Sequence, residues 1–62
     1  TKSVYIGEGA KVNNSIIMKK TKIGCNTNLN YVIIDKDVKI QDGRSLMGYD
    51  SYPVYIAKKS VV

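Results

Sequence analysis

Aliphatic residues recur along this chain at spacings of six, five and six positions, with turn-forming residues between them. The series is Ile6, Val12, Ile17, Ile23, Leu29, Ile34, Ile40 and Leu46. Two positions before most of them stands a small or β-branched residue. Side chains on a strand alternate between its faces, so residues two apart point the same way. Each triplet therefore predicts a short strand with two side chains inward and one outward.

The three spacings add to a repeat of seventeen residues, which aligns residues 5–21, 22–38 and 39–55 in rows. A short fixed period means that one small unit is copied, and such a unit must stack on its neighbours to bury its apolar face. Three strands make one turn of a prism. At about 4.8 Å per coil, equivalent aliphatics such as Ile6, Ile23 and Ile40 are expected to form columns in a triangular interior.

Glycine, asparagine and aspartate recur at the corners between triplets, where a sharp turn favours residues that tolerate positive φ. A helix is excluded because these residues interrupt the chain every five or six positions and no 3.6-residue stripe persists. Arg44 occupies a slot where the pattern favours a small inward residue, and residues 47–53 are expected to leave the prism as a loop. Two further triplets follow at 54–56 and 60–62. The sequence thus predicts an all-β solenoid of about four coils.

A chain of 62 residues forms one domain, and a globule of this size buries only about 60% of the surface that its unfolded chain exposes. Because there is one cysteine, Cys25, and no histidine, neither an internal disulfide nor a histidine-bearing zinc site can add stability. Assembly is expected to supply it. The chain begins without Met, contains no signal peptide and has no apolar run of roughly 18 residues. We expect an excised piece of a longer, cytoplasmic protein.

A formal charge of +5 keeps the domain soluble and attracts anions. Lys22 and Lys39 are expected to lie about 5 Å apart on one outward face, and Lys19 and Lys36 to be stacked at a corner. Like charges so close are unfavourable unless an anion lies between them. Lys22 and Lys39 are therefore candidates for an effector or anion site; the alternative is that the solvated side chains splay apart.

On another face the outward residues are Ile16 and Ile33. Two stacked isoleucines facing water would form an apolar strip of the kind that marks contact surfaces. We predict that this face packs against a catalytic domain or a sister subunit. The alternative is that inward and outward positions are exchanged at residues 15–17, since a slip of one residue moves every side chain to the other face.

The remaining candidate residues do not predict a catalytic, metal, cofactor or nucleic-acid site. Cys25 has no histidine partner and no clear source of a lowered pKa, so a passive thiol is expected. No residues match a metal or cofactor site, and none is predicted. Nucleic-acid binding is disfavoured because the five tyrosines are not interleaved with the lysine columns. We expect neither a nucleic-acid partner nor a membrane.

The segments 6–10, 23–27 and 56–60 share an aliphatic residue followed by glycine or alanine, two free positions and a small residue. This pattern resembles the hexapeptide repeat of left-handed parallel β-helices. The resemblance implies the left hand; general rules for crossover connections favour the right hand.

The runs 12–18, 21–24 and 32–38 resemble the C-terminal β-helix of the bacterial glucose-1-phosphate adenylyltransferase (ADP-glucose pyrophosphorylase) family, which makes ADP-glucose for glycogen. The ending, 46–56, is more similar to the companion subunit called glycogen biosynthesis protein D. The resemblance implies that residues 1–62 are a C-terminal β-helix domain and that the family's N-terminal nucleotidyltransferase domain is absent, so no catalytic residue can be assigned.

The resemblance further implies a non-catalytic module for oligomerisation or regulation in glycogen biosynthesis. Its partners would be its own catalytic domain, sister subunits and a phosphometabolite effector. Two alternatives stay open: part of a hexapeptide acyltransferase, which the absence of a histidine base disfavours, and a bare structural solenoid in an unrelated enzyme.

Overall fold

The computed structural model describes residues 4–62, and the regular elements in this range are short β-strands without any helix. Residues 1–3 of the predicted domain lie outside this range. The strands are β1 (Tyr5–Ile6), β2 (Lys11–Asn13), β3 (Ile16–Ile17), β4 (Lys22–Ile23), β5 (Asn28–Asn30), β6 (Val32–Ile34), β7 (Lys39–Ile40), β8 (Ser45–Met47) and β9 (Val54–Ile56). The all-β prediction is confirmed.

The strands form three parallel sheets, ordered β1-β4-β7, β2-β5-β8 and β3-β6-β9. Each strand pairs with the equivalent strand of the next coil, so Ile6 lies beside Ile23 and Leu29 beside Leu46. This arrangement is the predicted parallel β-helix. The strands of residues 4–62 complete three coils, and a bridge from Lys39 to Val61 begins a further one.

The interior is built from the predicted aliphatic columns. Its fully buried members are Ile23, Leu29, Val32, Ile34, Val38 and Ile40. The inward small positions of the central coil include Thr21 and Thr27, whose hydroxyls donate to the carbonyls of Asp35 and Gly24 at 3.1 and 3.2 Å. Because a buried hydroxyl without a partner is costly, these bonds to backbone carbonyls let polar residues occupy the core.

Apart from the loop at residues 48–53, each described corner contains one residue in the left-handed conformation. Gly9, Asn14, Asn26 and Gly43 have the residue types that the sequence indicates for such positions. Asp37, with a φ of 58°, also has such a residue type, whereas Lys20, Tyr31 and Lys59 adopt the same conformation with φ of 62°, 55° and 65°. The geometry of the corner therefore fixes the backbone even where the side chain does not favour it.

The predicted loop is present but shorter by one residue, because Met47 belongs to β8 and the excursion covers residues 48–53. Tyr49 and Tyr52 pair across its tip through reciprocal backbone hydrogen bonds of 3.1 and 2.9 Å. After the loop, Ile33 pairs with Tyr55. The offset between coils thus grows from seventeen to twenty-two residues at this point.

Candidate functional site

The face formed by β1, β4 and β7 presents the two predicted anion-binding lysines. Lys22 is paired directly with Lys39, and Tyr5 with Lys22. All three side chains are exposed. The structure therefore brings Lys22 and Lys39 together as the repeat predicts, on adjacent strands and pointing away from the core.

These residues line an open groove of about 460 Å³ that extends to the next corner. The groove is lined by Tyr5, Lys22, Ile23, Gly24, Lys39, Ile40, Gln41 and Asp42. Asp42 Oδ1 accepts a hydrogen bond of 2.8 Å from the backbone N–H of Cys25. The groove thus contains one carboxylate beside two ammonium groups, and anion binding by Lys22 and Lys39 stays a prediction.

Cys25 lies at the corner beside this groove and is partly exposed as a free thiol. No histidine stands beside it, since the chain has none. Within residues 4–62, no group of three or more potential metal-binding side chains is found. The corner has no arrangement that would activate the sulfur as a nucleophile.

The face formed by β3, β6 and β9 presents the predicted apolar residues. Ile16 is 58% exposed and paired with Ile33, whereas the flanking Val32 and Ile34 are fully buried. The predicted assignment of inward and outward positions is therefore correct. Tyr55 extends the column on the other side of Ile33 and is also 58% exposed. We call Ile16, Ile33 and Tyr55 the apolar strip.

The lower end of the apolar strip is held by a polar contact. Tyr55 Oη donates a hydrogen bond to Asp35 Oδ2, and Asp35 Oδ1 accepts one of 2.7 Å from the N–H of Lys36. The Tyr55 hydrogen bond is the largest cause of a lowered pKa at Asp35, followed by the Lys36 backbone bond and the charges of Lys36 and Lys58. The same hydrogen bond raises the pKa of Tyr55. The Tyr55 ring is thereby fixed over the corner that follows β6.

Sequence reasoning missed Tyr55 and Asp35, and it missed that Lys58 and Lys59 join the corner of Lys19 and Lys36. Counting seventeen residues fails after the loop, because the offset is then twenty-two. The likeness of the triplet Val54–Ile56 to Val32–Ile34 is a sequence signal for the true register, but it competes with the seventeen-residue count, and only the backbone pairing decides between them.

Among the described residues, no helix is long and apolar enough to cross a membrane. Comparison with curated proteins and with solved structures found no match. A family model described as GlmU-like, C-terminal hexapeptide matches residues 1–53. This segment contains strands β1 to β8 and both lysines of the groove. The chain belongs to the GlmU-like, C-terminal hexapeptide family.

Proposed function

We propose that this chain is the non-catalytic C-terminal module of a glucose-1-phosphate adenylyltransferase-like subunit in glycogen biosynthesis, and that it holds subunits or domains together. The observation that carries the contact role is the apolar strip. Core side chains occupy the interior, yet Ile16 and Tyr55 remain more than half exposed on one sheet, β3-β6-β9. Exposed apolar strips on small domains usually mark contact surfaces.

Support for the adenylyltransferase assignment comes from the sequence runs 12–18 and 32–38. They form the corners and strands that display the apolar strip, so the residues that carry the resemblance also build the proposed contact face. The family match supports a hexapeptide module in general. The adenylyltransferase reaction and the likeness to glycogen biosynthesis protein D rest on the sequence resemblance and not on the family match.

A hexapeptide acyltransferase is the second candidate. The family match favours it as much as the first, because the match concerns the hexapeptide coil. The composition disfavours it, since this chain contributes no histidine that could deprotonate an acceptor hydroxyl or amine.

The contact role is tested by the double substitution Ile16→Lys and Ile33→Lys, made in the full-length protein. Two charges on the apolar strip should lower the assembly mass in analytical ultracentrifugation, because burying an unpaired ammonium group is costly. The matched control is Asn28→Lys with Ser45→Lys, which adds two charges at outward, paired positions of β5 and β8. An unchanged mass for the first variant, or an equal loss in both, contradicts the contact role.

The same preparations decide between the two candidate functions. Formation of ADP-glucose from ATP and glucose 1-phosphate, by the full-length protein alone or with a partner subunit, is expected under the first. Acyl transfer from acyl-CoA without any ADP-glucose formation would contradict the adenylyltransferase assignment and support the acyltransferase.

A further inference from the structure

Seven lysines gather along one edge of the prism. They occupy the corner between the β3-β6-β9 and β1-β4-β7 sheets and the outward face of the latter, and every one is exposed. They are Lys19, Lys20, Lys22, Lys36, Lys39, Lys58 and Lys59, which we call the lysine edge. The other described cations are Lys11, in β2, and Arg44, which immediately precedes β8. The positive charge of residues 4–62 is therefore concentrated on one side.

The backbone holds the corner segments of the lysine edge in register. The N–H of Asp37 donates to the carbonyl of Lys19 at 3.2 Å, and the N–H of Lys59 to that of Lys36 at 3.0 Å. Lys20, Asp37 and Lys59 share the left-handed conformation, with φ of 62°, 58° and 65°. They are therefore equivalent corner positions on three successive coils.

The loop at residues 48–53 decides that the third coil joins this edge. Because Ile56 pairs with Ile34, Lys58 is carried to the position below Lys36. Lys36 in turn lies below Lys19, since Ile34 pairs with Ile17. One column of the corner is thus made of three lysines, one from each coil, at the spacing of about 4.8 Å between parallel strands.

Few acids offset this charge. Asp37 lies within the edge, Asp35 beside it and Asp42 in the groove next to Lys22 and Lys39, so seven lysines face three aspartates. Both oxygens of Asp35 already accept hydrogen bonds, from Tyr55 and from the N–H of Lys36. Lysines whose backbones lie about 4.8 Å apart bring several ammonium groups into one region, where they repel one another modestly in water, and an anion that contacts several of them relieves this repulsion.

We propose that the lysine edge binds a linear oligophosphate, a molecule with several phosphates joined in one flexible chain. Lysine contacts phosphate as a point charge, and a ladder of such charges over three coils fits an anion that also repeats along its length. The inference goes beyond the proposed function and does not depend on it.

Nucleic acid fits this edge less well. Sequence-tolerant binding of single strands combines a basic path with aromatic platforms on which bases stack. Along the described part of the lysine edge, Tyr5 lines the groove at the first coil and Tyr55 lies beside Asp35 at the third, so the two rings are far apart and form no row of adjacent platforms. The edge also contains no arginine, the residue most used for bidentate contacts to guanine.

The test compares two variants of equal net charge, Lys36→Gln with Lys58→Gln on the edge and Lys11→Gln with Arg44→Gln away from it. Binding of inorganic polyphosphate and of tripolyphosphate is measured by isothermal titration calorimetry at low salt, after circular dichroism has shown that both variants are folded. We expect about tenfold weaker binding for the edge variant and less than about twofold for the control, with a salt dependence that is shallower in the edge variant.

Equal weakening in both variants, or no binding by the wild type, overturns the proposal, because binding would then reflect total charge or be absent. Two further arms use single-stranded DNA of the same charge and vesicles of phosphatidylcholine with phosphatidylinositol bisphosphate. If the lysine edge binds the DNA or the vesicles more tightly than polyphosphate, and this binding is lost in the edge variant, the edge is a site for nucleic acid or for a lipid headgroup. That result also overturns the oligophosphate proposal. Neither result changes the ADP-glucose assay, so the two proposals fail independently.

Discussion

At the scale of single residues, the corners are the most demanding part of this fold. Gly7 and Gly24 occupy equivalent corner positions on successive coils, and a Cβ on Gly7 would lie 2.8 Å from the backbone N of Cys25. The coils approach too closely there for any side chain. Gly43 is different, since its φ of 74° needs conformational freedom but a Cβ would meet nothing within 4 Å.

This contrast gives a prediction for Gly24→Ala against Gly43→Ala. A Cβ added at Gly24 would lie 2.6 Å from the backbone N of Asp42, so the coils must separate, and we expect a loss of about 3 kcal/mol in the free energy of unfolding. Gly43→Ala should cost about 1 kcal/mol, the cost of the left-handed conformation alone. Urea denaturation measures both, and equal losses would show that steric contact between coils does not decide the requirement at Gly24.

At the scale of the elements, no strand within residues 4–62 exceeds three residues, and every strand depends on a partner seventeen or twenty-two residues away. The loop at residues 48–53 shows how the coil tolerates an insertion. Two backbone hydrogen bonds fix the ends of the loop to the preceding coil. The N–H of Gly48 donates to the carbonyl of Asn30 at 2.8 Å, and the N–H of Val54 donates to the carbonyl of Tyr31 at 3.0 Å. The strands on both sides therefore keep their register while the loop projects from a corner.

Deleting residues 49–53 should leave the fold intact. The deletion joins Gly48 to Val54, which restores the seventeen-residue spacing and places a glycine below the left-handed Tyr31. Because the lost tyrosines, Tyr49 and Tyr52, are largely exposed, we expect a change within about 1 kcal/mol in the free energy of unfolding.

The control is a deletion of residues 26–30, which is also five residues long but removes β5 and its buried Leu29. It should abolish the cooperative unfolding transition. Loss of the β-sheet circular dichroism signal in the first deletion would contradict the view that the insertion is independent of the coil.

At the scale of the whole molecule, burial changes along the axis of the prism. Ile6, Ile23 and Ile40 belong to one column, yet Ile6 is 49% exposed while Ile23 and Ile40 are at 0% and 1%. The sequence repeats the same residue, but the first described coil has a neighbour on one side only. Equal residues at equivalent positions therefore contribute unequally to stability.

We expect Ile23→Ala to lower the free energy of unfolding by about 4 kcal/mol, because it removes fully buried methyl groups and leaves a cavity. Ile6→Ala should cost about 1.5 kcal/mol, since half of its side chain already contacts water. Chemical denaturation of the two variants provides the comparison. Equal losses would indicate that the end coil is covered in solution, as it would be in a stacked assembly.

Much of the candidate site follows from the repeat. Lys22 beside Lys39 and Ile16 beside Ile33 could be predicted because strand pairing at a constant offset aligns equal positions. Tyr55 and Lys58 could not be placed by that count, because the loop changes the offset between the second and third coils. The contact role of the apolar strip and the anion-binding role of Lys22 and Lys39 stay predictions, since each depends on a partner or ligand that the sequence does not identify.

The sequence by itself determined the solenoid, the inward aliphatic columns and the outward residues of the first two coils, because side-chain alternation and a fixed period leave one way to bury them. The tertiary structure alone decided which residues after the loop join each face, since that depends on backbone pairing across twenty-two residues. It thereby completed both the apolar strip and the lysine edge. The physical reason is that hydrogen bonds between coils set the register, whereas an exposed lysine or tyrosine has no burial preference that would reveal its column from the sequence.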